Sequence, residues 1–201
     1  MKLEKLYEGK AKIIYKTNQQ NCLQQYFKDD ATAFNNQKHQ IMQGKGVLNN
    51  FISEFIMLHL QKNGIKNHLI KRIDERQQLI QQLKIIPLEV IIRNVAAGSF
   101  SKRLAVAEGK KLKKPLIEFC LKDDALGDPL ITEDHIDILE IASKEEISFI
   151  KENTAKINNI LLELFAKINI KLIDFKIEFG RDDAGNIILA DEISPDSCRL
   201  W

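Results

Sequence analysis

Charged and apolar residues alternate near the C-terminus. In Ile173-Asp174-Phe175-Lys176-Ile177-Glu178-Phe179 an extended backbone puts Asp174, Lys176 and Glu178 on one face and Ile173, Phe175, Ile177 and Phe179 on the other. The plain alternative is an amphipathic strand whose charged side is solvated. A second run, Ile187 to Ile193, carries Asp191 and follows the turn Asp182-Asp183-Ala184-Gly185, so the two runs make a hairpin. With an even loop, either Ala184-Gly185 or Asp182 to Gly185, Asp191 falls opposite Glu178 or Lys176 respectively, on the charged face in both cases. An odd loop without a bulge sends it to the other face. Two carboxylates beside a lysine on adjacent strands suit Mg²⁺, which takes one or two protein carboxylates and leaves its other positions to substrate phosphates and water.

At the other end of the chain, Gly9-Lys10-Ala11-Lys12 sets two lysines on one strand face just after a glycine, an arrangement able to lie over a polyphosphate. It is not a Walker A loop, and lysines on a surface hairpin are the competing explanation. Arginine is scarce: of 30 basic residues six are Arg, at positions 72, 76, 93, 103, 181 and 199. Only Arg presents a rigid fork for bidentate phosphate or carboxylate binding. Arg93 leaves an almost wholly apolar run and is followed by Ala97-Gly98-Ser99 and then Ser101 and Arg103, the ingredients of a phosphate monoester site or of a polar strand exit. Arg199 follows Ser194-Pro195-Asp196-Ser197-Cys198 and can reach the same cleft as the carboxylates.

Other candidates read as structural. His39, His59, His68 and His135 share no metal spacing and pair with no Ser or Cys motif, so nucleophilic hydrolysis has no support. Cys198 beside Arg199 reads as a packed thiol rather than a reactive one. Phe51, Phe55, Met57 and Leu60 read as core.

These residues need elements to position them. Leu6 to Tyr15 reads as strand, glycine turn and strand, and Cys22 to Lys28 as a third strand. Val47, Leu48, Phe51, Ile52, Phe55, Ile56 and Leu60 recur at helical spacing, so a helix runs from Gly46 to about Lys62 and packs that stripe on the sheet. Leu69 to Ile73, Gln78 to Leu83 and Ile85 to Val95 read as strands, the last ended by Gly98 and Ser99. Glu108 to Pro115 reads as a lysine-rich surface connection and Leu116 to Leu121 as a strand. Ser143 and Glu146 form a capping box ahead of a long helix with the stripe Ile147, Ile150, Ile157, Leu161, Leu164 and Ile168. The pattern is α+β, with a mostly antiparallel sheet in each of two lobes, residues 1–84 and 85–201, divided near Gln82 to Pro87.

The composition bounds the partners. The chain has 201 residues, 44% hydrophobic and 29% charged, and a net charge of +2, so it offers no long-range field for nucleic acid or an anionic membrane. Cys22, Cys120 and Cys198 are odd in number and show no CxxC spacing, which fits a reducing cytoplasm. No apolar run is long enough for a membrane span, and the N-terminus has no secretory pattern.

Taken in order, Tyr7-Glu8-Gly9-Lys10-Ala11-Lys12, Asp30-Ala31-Thr32-Ala33-Phe34-Asn35, Gly44-Lys45-Gly46, Pro87-Leu88-Glu89-Val90-Ile91-Ile92-Arg93-Asn94 with Ala97-Gly98-Ser99, Lys122-Asp123-Asp124, Asp174 to Gly180 and Asp191-Glu192-Ile193-Ser194-Pro195-Asp196 resemble the SAICAR synthetase family (phosphoribosylaminoimidazole-succinocarboxamide synthases) over the whole chain. The resemblance implies a two-lobed α+β fold related to ATP-grasp enzymes, with ATP between the lobes. It implies ATP-dependent joining of L-aspartate to the carboxylate of carboxyaminoimidazole ribonucleotide in purine biosynthesis. By the same resemblance Gly9, Lys10, Ala11 and Lys12 cover the ATP phosphates, Ile85 and Glu89 sit at the adenine and hinge, and Lys122 contacts the nucleotide. Glu178 and Asp191 hold Mg²⁺, Arg93, Ser99 and Arg199 take the ribonucleotide, and Asp174 and Lys176 line the reacting centre. A cytoplasmic homo-oligomer, a dimer, is implied, and family members continue past Trp201 with a helical segment. A small-molecule kinase or a non-catalytic nucleotide-binding protein are the other readings. The first gives the Arg93 to Ser99 segment no task, and the second has no need of two carboxylates.

Overall fold

A computed structural model describes residues 3–33 and 38–201; Phe34 and Asn35 of the Asp30 to Asn35 motif, and the side chain of His39, lie outside the described part. The N-terminal sheet has five strands: β1 (Lys5–Glu8), β2 (Lys12–Lys16), β3 (Cys22–Phe27), β6 (Leu69–Arg72) and β7 (Gln77–Gln81), in the order β1-β2-β3-β7-β6. The glycine turn reverses the chain between β1 and β2, where the Gly9 amide bonds the carbonyl of Lys12 at 2.9 Å. A short hairpin, β4 (Asp30–Ala33) and β5 (Lys38–Ile41), leads into the helix α1 (Lys45–Lys62).

The second sheet is built on β12 (Leu172–Arg181), which pairs with β9 (Leu88–Val95), β13 (Ile187–Ala190), β14 (Cys198–Leu200) and the short β8 (Lys84–Ile85). Outside β9 lie β10 (Lys111–Leu121) and β11 (Leu130–Ile131), and every pairing is antiparallel. The two sheets divide between Gln81 and Lys84, where β7 ends and β8 already pairs with β12. The helices are α2 (Gly98–Leu104), α3 (Glu133–Ile138) and α4 (Lys144–Ala166). The capping box forms as the sequence predicts: Glu146 N donates to Ser143 Oγ at 3.2 Å and Ser143 N to Glu146 Oε2 at 2.8 Å, which orders the first turn of α4. Ile147, Ile150, Ile157, Leu161 and Phe165 of α4 pack against Phe175, Ile177 and Phe179 of β12. One continuous core then runs across to Ile56, Met57 and Leu60 of α1.

Several expectations are corrected. In α1 the buried residues are Gly46, Asn49, Asn50, Ser53, Ile56, Met57 and Leu60, whereas Leu48, Phe51 and Phe55 are exposed. Polar partners decide this: Asn50 donates to the Asp74 carbonyl at 2.9 Å, Asn49 to Asp196 at 2.8 Å, and Gln78 to the Asn50 carbonyl at 3.0 Å. Gly46 allows the helix to approach β3, since a Cβ there would fall 2.8 Å from Arg76 Nη1 and 2.9 Å from the Lys28 carbonyl. The segment after Arg93 is not an open turn but the helix α2, and the lysine-rich stretch before Leu116 is strand from Lys111, with a register irregularity between Lys111 and Leu116. The strand β13 stops at Ala190 rather than running to Ile193.

Candidate active site

The face of the second sheet that turns away from α4 gathers the charges. On β12, Asp174 lies opposite Arg93 and Lys176 opposite Ile91; on β10, Glu118 lies opposite Ile91 and Cys120 opposite Glu89. Strand alternation therefore puts Asp174, Lys176 and Glu178 beside Glu89, Arg93 and Glu118. This face is buried, with Asp174 at 6% and Glu178 at 4% exposure, so it is not a solvated strand side.

At one end, the buried Arg93 spends its fork on three partners: Nε on Glu118 Oε2 at 2.6 Å, Nη1 on Asp174 Oδ2 at 3.1 Å and Nη2 on Ser99 Oγ at 3.0 Å. Arg199 Nη1 reaches the same Asp174 oxygen at 3.0 Å. Its guanidinium lies against Gly98, the first residue of α2, where φ is +54°. Burial raises the Asp174 carboxyl, and the two guanidiniums beside it only partly offset that. Arg93 is committed to structure, whereas the Arg199 side chain is 36% exposed and has donors beyond the one given to Asp174. A fork, a hydroxyl and a displaceable carboxylate partner can receive a phosphate or carboxylate.

Farther along β12 opens a cleft of about 610 Å³ between the two sheets. Its lining includes the apolar Ile14, Leu23, Ile80, Leu83 and Ile85 together with lysines from both sides, Lys10, Lys12, Lys122 and Lys176. Lys10 from the glycine turn crosses to Asp124 at 3.0 Å. Lys122 binds Glu178 at 2.6 Å, and Lys176 contacts Glu89 and lies 3.6 Å from Glu178. Lys12 contacts both Asp191 and Glu192. Burial works against the charges of Glu178 and Lys122, yet their neighbours outweigh it, so Glu178 stays below the usual carboxylate range and Lys122 above the usual amine range. Burial lowers the Lys12 ammonium and raises the Asp191 carboxyl. Each cation thus has a carboxylate partner that an incoming polyphosphate and its counter-ion would replace.

Asp191 arrives by a route the hairpin arithmetic does not contain. Arg181 pairs with Ile187 and Glu178 with Ala190, so the loop Asp182 to Asn186 is odd and a regular strand would turn Asp191 to the wrong face. The strand ends one residue earlier, and Asp191 takes a left-handed conformation with φ +62° that brings both its side chain and that of Glu192 onto Lys12. Among the described residues no group of three or more His, Cys, Asp or Glu side chains forms a ready-made metal cage. A hard divalent ion that draws most ligands from phosphate and water needs one or two carboxylates, and Glu178, Asp191 and Glu192 supply that donor type beside the lysines.

Gly9, Lys10, Ala11, Lys12, Ile85, Glu89, Lys122, Lys176, Glu178 and Asp191 therefore meet in one cleft, whereas Arg93, Ser99, Arg199 and Asp174 form a second cluster along the same sheet face. Glu89 reaches Lys176 rather than only marking an adenine edge. Sequence reasoning missed Glu192, whose adjacency to Asp191 argues for opposite faces in any regular strand. It also missed Lys45 and Asp196, which bond across the two lobes, and His68, which lines the cleft. Burial pushes the Cys198 thiol up to about 12, which disfavours its thiolate.

A profile of the SAICAR synthetase family matches residues 5–201. A phosphoribosylaminoimidazole-succinocarboxamide synthase of Shouchella clausii is 56% identical over 201 residues, spanning 100% of this chain and 84% of that protein. The crystal structure of the enzyme of that name from Ehrlichia chaffeensis superposes with a TM-score of 0.96 at 52% identity, over 98% of this chain and 85% of that one. A SAICAR synthetase in complex with ADP superposes with a TM-score of 0.94 at 46% identity, over 97% and 83% respectively.

Proposed function

The chain belongs to the SAICAR synthetase family, and from that premise we propose how its two charge clusters divide the work of an ATP-dependent ligase in purine biosynthesis. The reaction joins L-aspartate to the carboxylate of 5-amino-1-(5-phosphoribosyl)imidazole-4-carboxylate and yields the succinocarboxamide, ADP and phosphate. The observation that carries the division is that one strand, β12, bears both the Asp174 cluster and the Lys176–Glu178 cluster on one buried face. ATP lies in the cleft between the lobes of residues 1–84 and 85–201, its base toward Ile14, Leu23, Ile80 and Ile85 and its phosphates under Gly9, Lys10, Ala11 and Lys12. Glu89 orients Lys176, and Lys122 reaches the phosphates from the opposite wall. Arg199 and Ser99, backed by Arg93, hold the ribonucleotide phosphate.

A carboxylate does not react with an amine at neutral pH. Transfer of the γ-phosphoryl group to the imidazole carboxylate gives an acyl phosphate and ADP; the aspartate amine then attacks the acyl carbon, forming the amide C–N bond as the C–O bond breaks, phosphate leaves and the nitrogen gives up a proton. Lys10, Lys12 and Lys176 offset the charge that builds on the transferring group, and the strand fixes the approach of the two reactants. Asp174 steadies the guanidinium that receives the ribonucleotide, and Lys176 lies next to it along β12 toward the phosphates. Glu178 and Asp191, with Glu192 adjacent, would hold Mg²⁺, which supplies Lewis-acid stabilisation of phosphate oxygens when bound. No helix among the described residues is long and apolar enough to cross a membrane. From family membership, and not from that absence, we assign the enzyme to the cytoplasm, acting as a homodimer on small molecules.

The test is ADP release by the purified protein with ATP and Mg²⁺, omitting each acceptor in turn. Release requires both the imidazole carboxylate and L-aspartate. ADP formed steadily without aspartate would point instead to a kinase acting on a hydroxyl.

A further inference from the structure

Glu118 of β10 is a buried carboxylate that neither the phosphoryl-transfer nor the amide-forming step uses, its side chain 9% exposed. Each of its oxygens is taken by an arginine from a different element: Oε2 by Arg93 Nε of β9 at 2.6 Å, and Oε1 by Arg103 Nη2 of α2. Arg103 and Ser99 stand four residues apart and share a face of α2. Ser99 Oγ in turn accepts from Arg93 Nη2 at 3.0 Å. Ser99, Arg93, Glu118 and Arg103 therefore close a ring that lays this face of α2 on the sheet, with Phe100 buried on another side of the helix.

Both arms of the ribonucleotide end run back to this one carboxylate. Along the first, Arg93 Nη1 and Arg199 Nη1 meet on the same Asp174 oxygen, at 3.1 and 3.0 Å. Along the second, α2 carries Ser99 and begins at Gly98, against which the Arg199 guanidinium lies. Arg93 is 4% exposed, and a buried guanidinium that loses a carboxylate must find another. Without Glu118 it falls back on Asp174, which it shares with Arg199. Arg93 then gives up Ser99 and displaces Arg199, while α2 loses the tie made through Arg103.

We propose that Glu118 is a positioning residue for the ribonucleotide end: by gripping Arg93 and Arg103 together it sets α2 against the sheet and holds the Ser99 hydroxyl and the Arg199 guanidinium at one anion seat. It touches no substrate itself. The inference rests on the assignment of Ser99 and Arg199 to the ribonucleotide phosphate and names the residue that preorganises them.

The experiment measures kcat and the KM for the imidazole ribonucleotide at saturating ATP and aspartate, with calorimetric ADP binding as the control. The variants are Glu118→Asp, Glu118→Gln, Glu118→Leu, Arg103→Met, Glu118→Leu combined with Arg103→Met, and Arg199→Ala. Glu118→Gln and Glu118→Leu raise the KM about tenfold, the scale of one hydrogen bond to a charged group, while kcat and ADP affinity change less than about twofold. Glu118→Asp keeps the charge and both oxygens, and the long arginine side chains follow it, so its KM stays within about threefold of wild type. Arg103→Met raises the KM by itself and adds nothing in the Glu118→Leu background, because it acts through Glu118. If Glu118→Leu is not folded by circular dichroism, Glu118→Gln takes its place in both the single and the combined variant. With Arg199→Ala raising the KM, any one of four results overturns the inference and leaves the ribonucleotide assignment standing: an unchanged KM in the folded variants that lack the carboxylate, an equal rise in Glu118→Asp, a further loss from Arg103→Met in the combined variant, or a loss that falls on kcat or ADP affinity instead. An unchanged KM in Arg199→Ala overturns both.

Discussion

Gly98 offers the sharpest perturbation of the ribonucleotide end. A Cβ at this position would fall 2.6 Å from Arg199 Nη1 and 2.8 Å from Arg199 Cζ, so Gly98→Ala must push the guanidinium off its seat. The backbone adds strain of its own, because φ +54° is a left-handed conformation that costs a residue with a Cβ about 1–2 kcal/mol. The displaced Arg199 loses its 3.0 Å bond to Asp174, but its side chain is 36% exposed, so that contact contributes no more than about 1 kcal/mol to stability. Together these lower stability by about 2 kcal/mol, a fall in Tm of about 4–8 °C for a chain of this size. The functional effect is larger. A hydrogen bond to a charged group is worth about 1.5–3 kcal/mol, which at 1.4 kcal/mol per decade raises the KM for the imidazole ribonucleotide by about 10–150-fold. Steady-state kinetics at saturating ATP and aspartate measure this, with calorimetric ADP binding as the control, since Gly98 lies outside the nucleotide cleft. A Tm drop of the expected size with the ribonucleotide KM changed less than about twofold would refute the assignment of Arg199 to that substrate.

Three other perturbations address separate parts of the argument. Glu178→Gln and Asp191→Asn each abolish turnover, and circular dichroism retains the native spectrum; normal rates in either variant remove that residue from the metal site. Asp124→Asn frees Lys10 from its half-exposed partner across the cleft mouth, so nucleotide binding tightens by up to about fivefold, and weaker binding by calorimetry would contradict the exchange of partners. Asp29 accepts both arms of Arg76 and the amides of Gly44 and Gly46, and the Arg76 guanidinium holds its carboxyl well below the usual range. A depressed folded-state value means stabilisation that is present above the ordinary carboxylate range and is lost as pH falls through the folded-state value, so Asp29→Asn lowers Tm at pH 7 and the gap to wild type closes in acid. A gap independent of pH would contradict this.

Local patterns carried much of this fold in the sequence. Strand alternation exposes the chemistry of β12 because the period of two is enforced by the core beneath Phe175, Ile177 and Phe179. The capping box of α4 is legible because both of its bonds lie within four residues. What escaped was decided by distant partners. The side of α1 that faces inward is chosen by Asp74, Gln78 and Asp196, so an apolar stripe misleads and Phe51 and Phe55 end up outside. The short α2 begins at a glycine whose left-handed φ is invisible in residue type alone. Asp191 reaches the charged side without the even register, because one backbone conformation does the work of the missing residue. His68 had no signal at all: it lines the cleft because its segment is clamped to Leu189, far along the chain.

The strand β12 is also a ruler. Same-face side chains on an antiparallel strand stand about 6.8 Å apart, so Asp174, Lys176 and Glu178 mark off about 14 Å between the ribonucleotide end and the cation end. That interval is set by peptide geometry rather than by loops, so it is fixed. Natural or engineered variation in substrate size must then be absorbed at the margins, in α2, the glycine turn or the segment after β13. A single residue inserted between Asp174 and Glu178 would reverse one half of the face and separate the two chemistries, even where the core tolerated it.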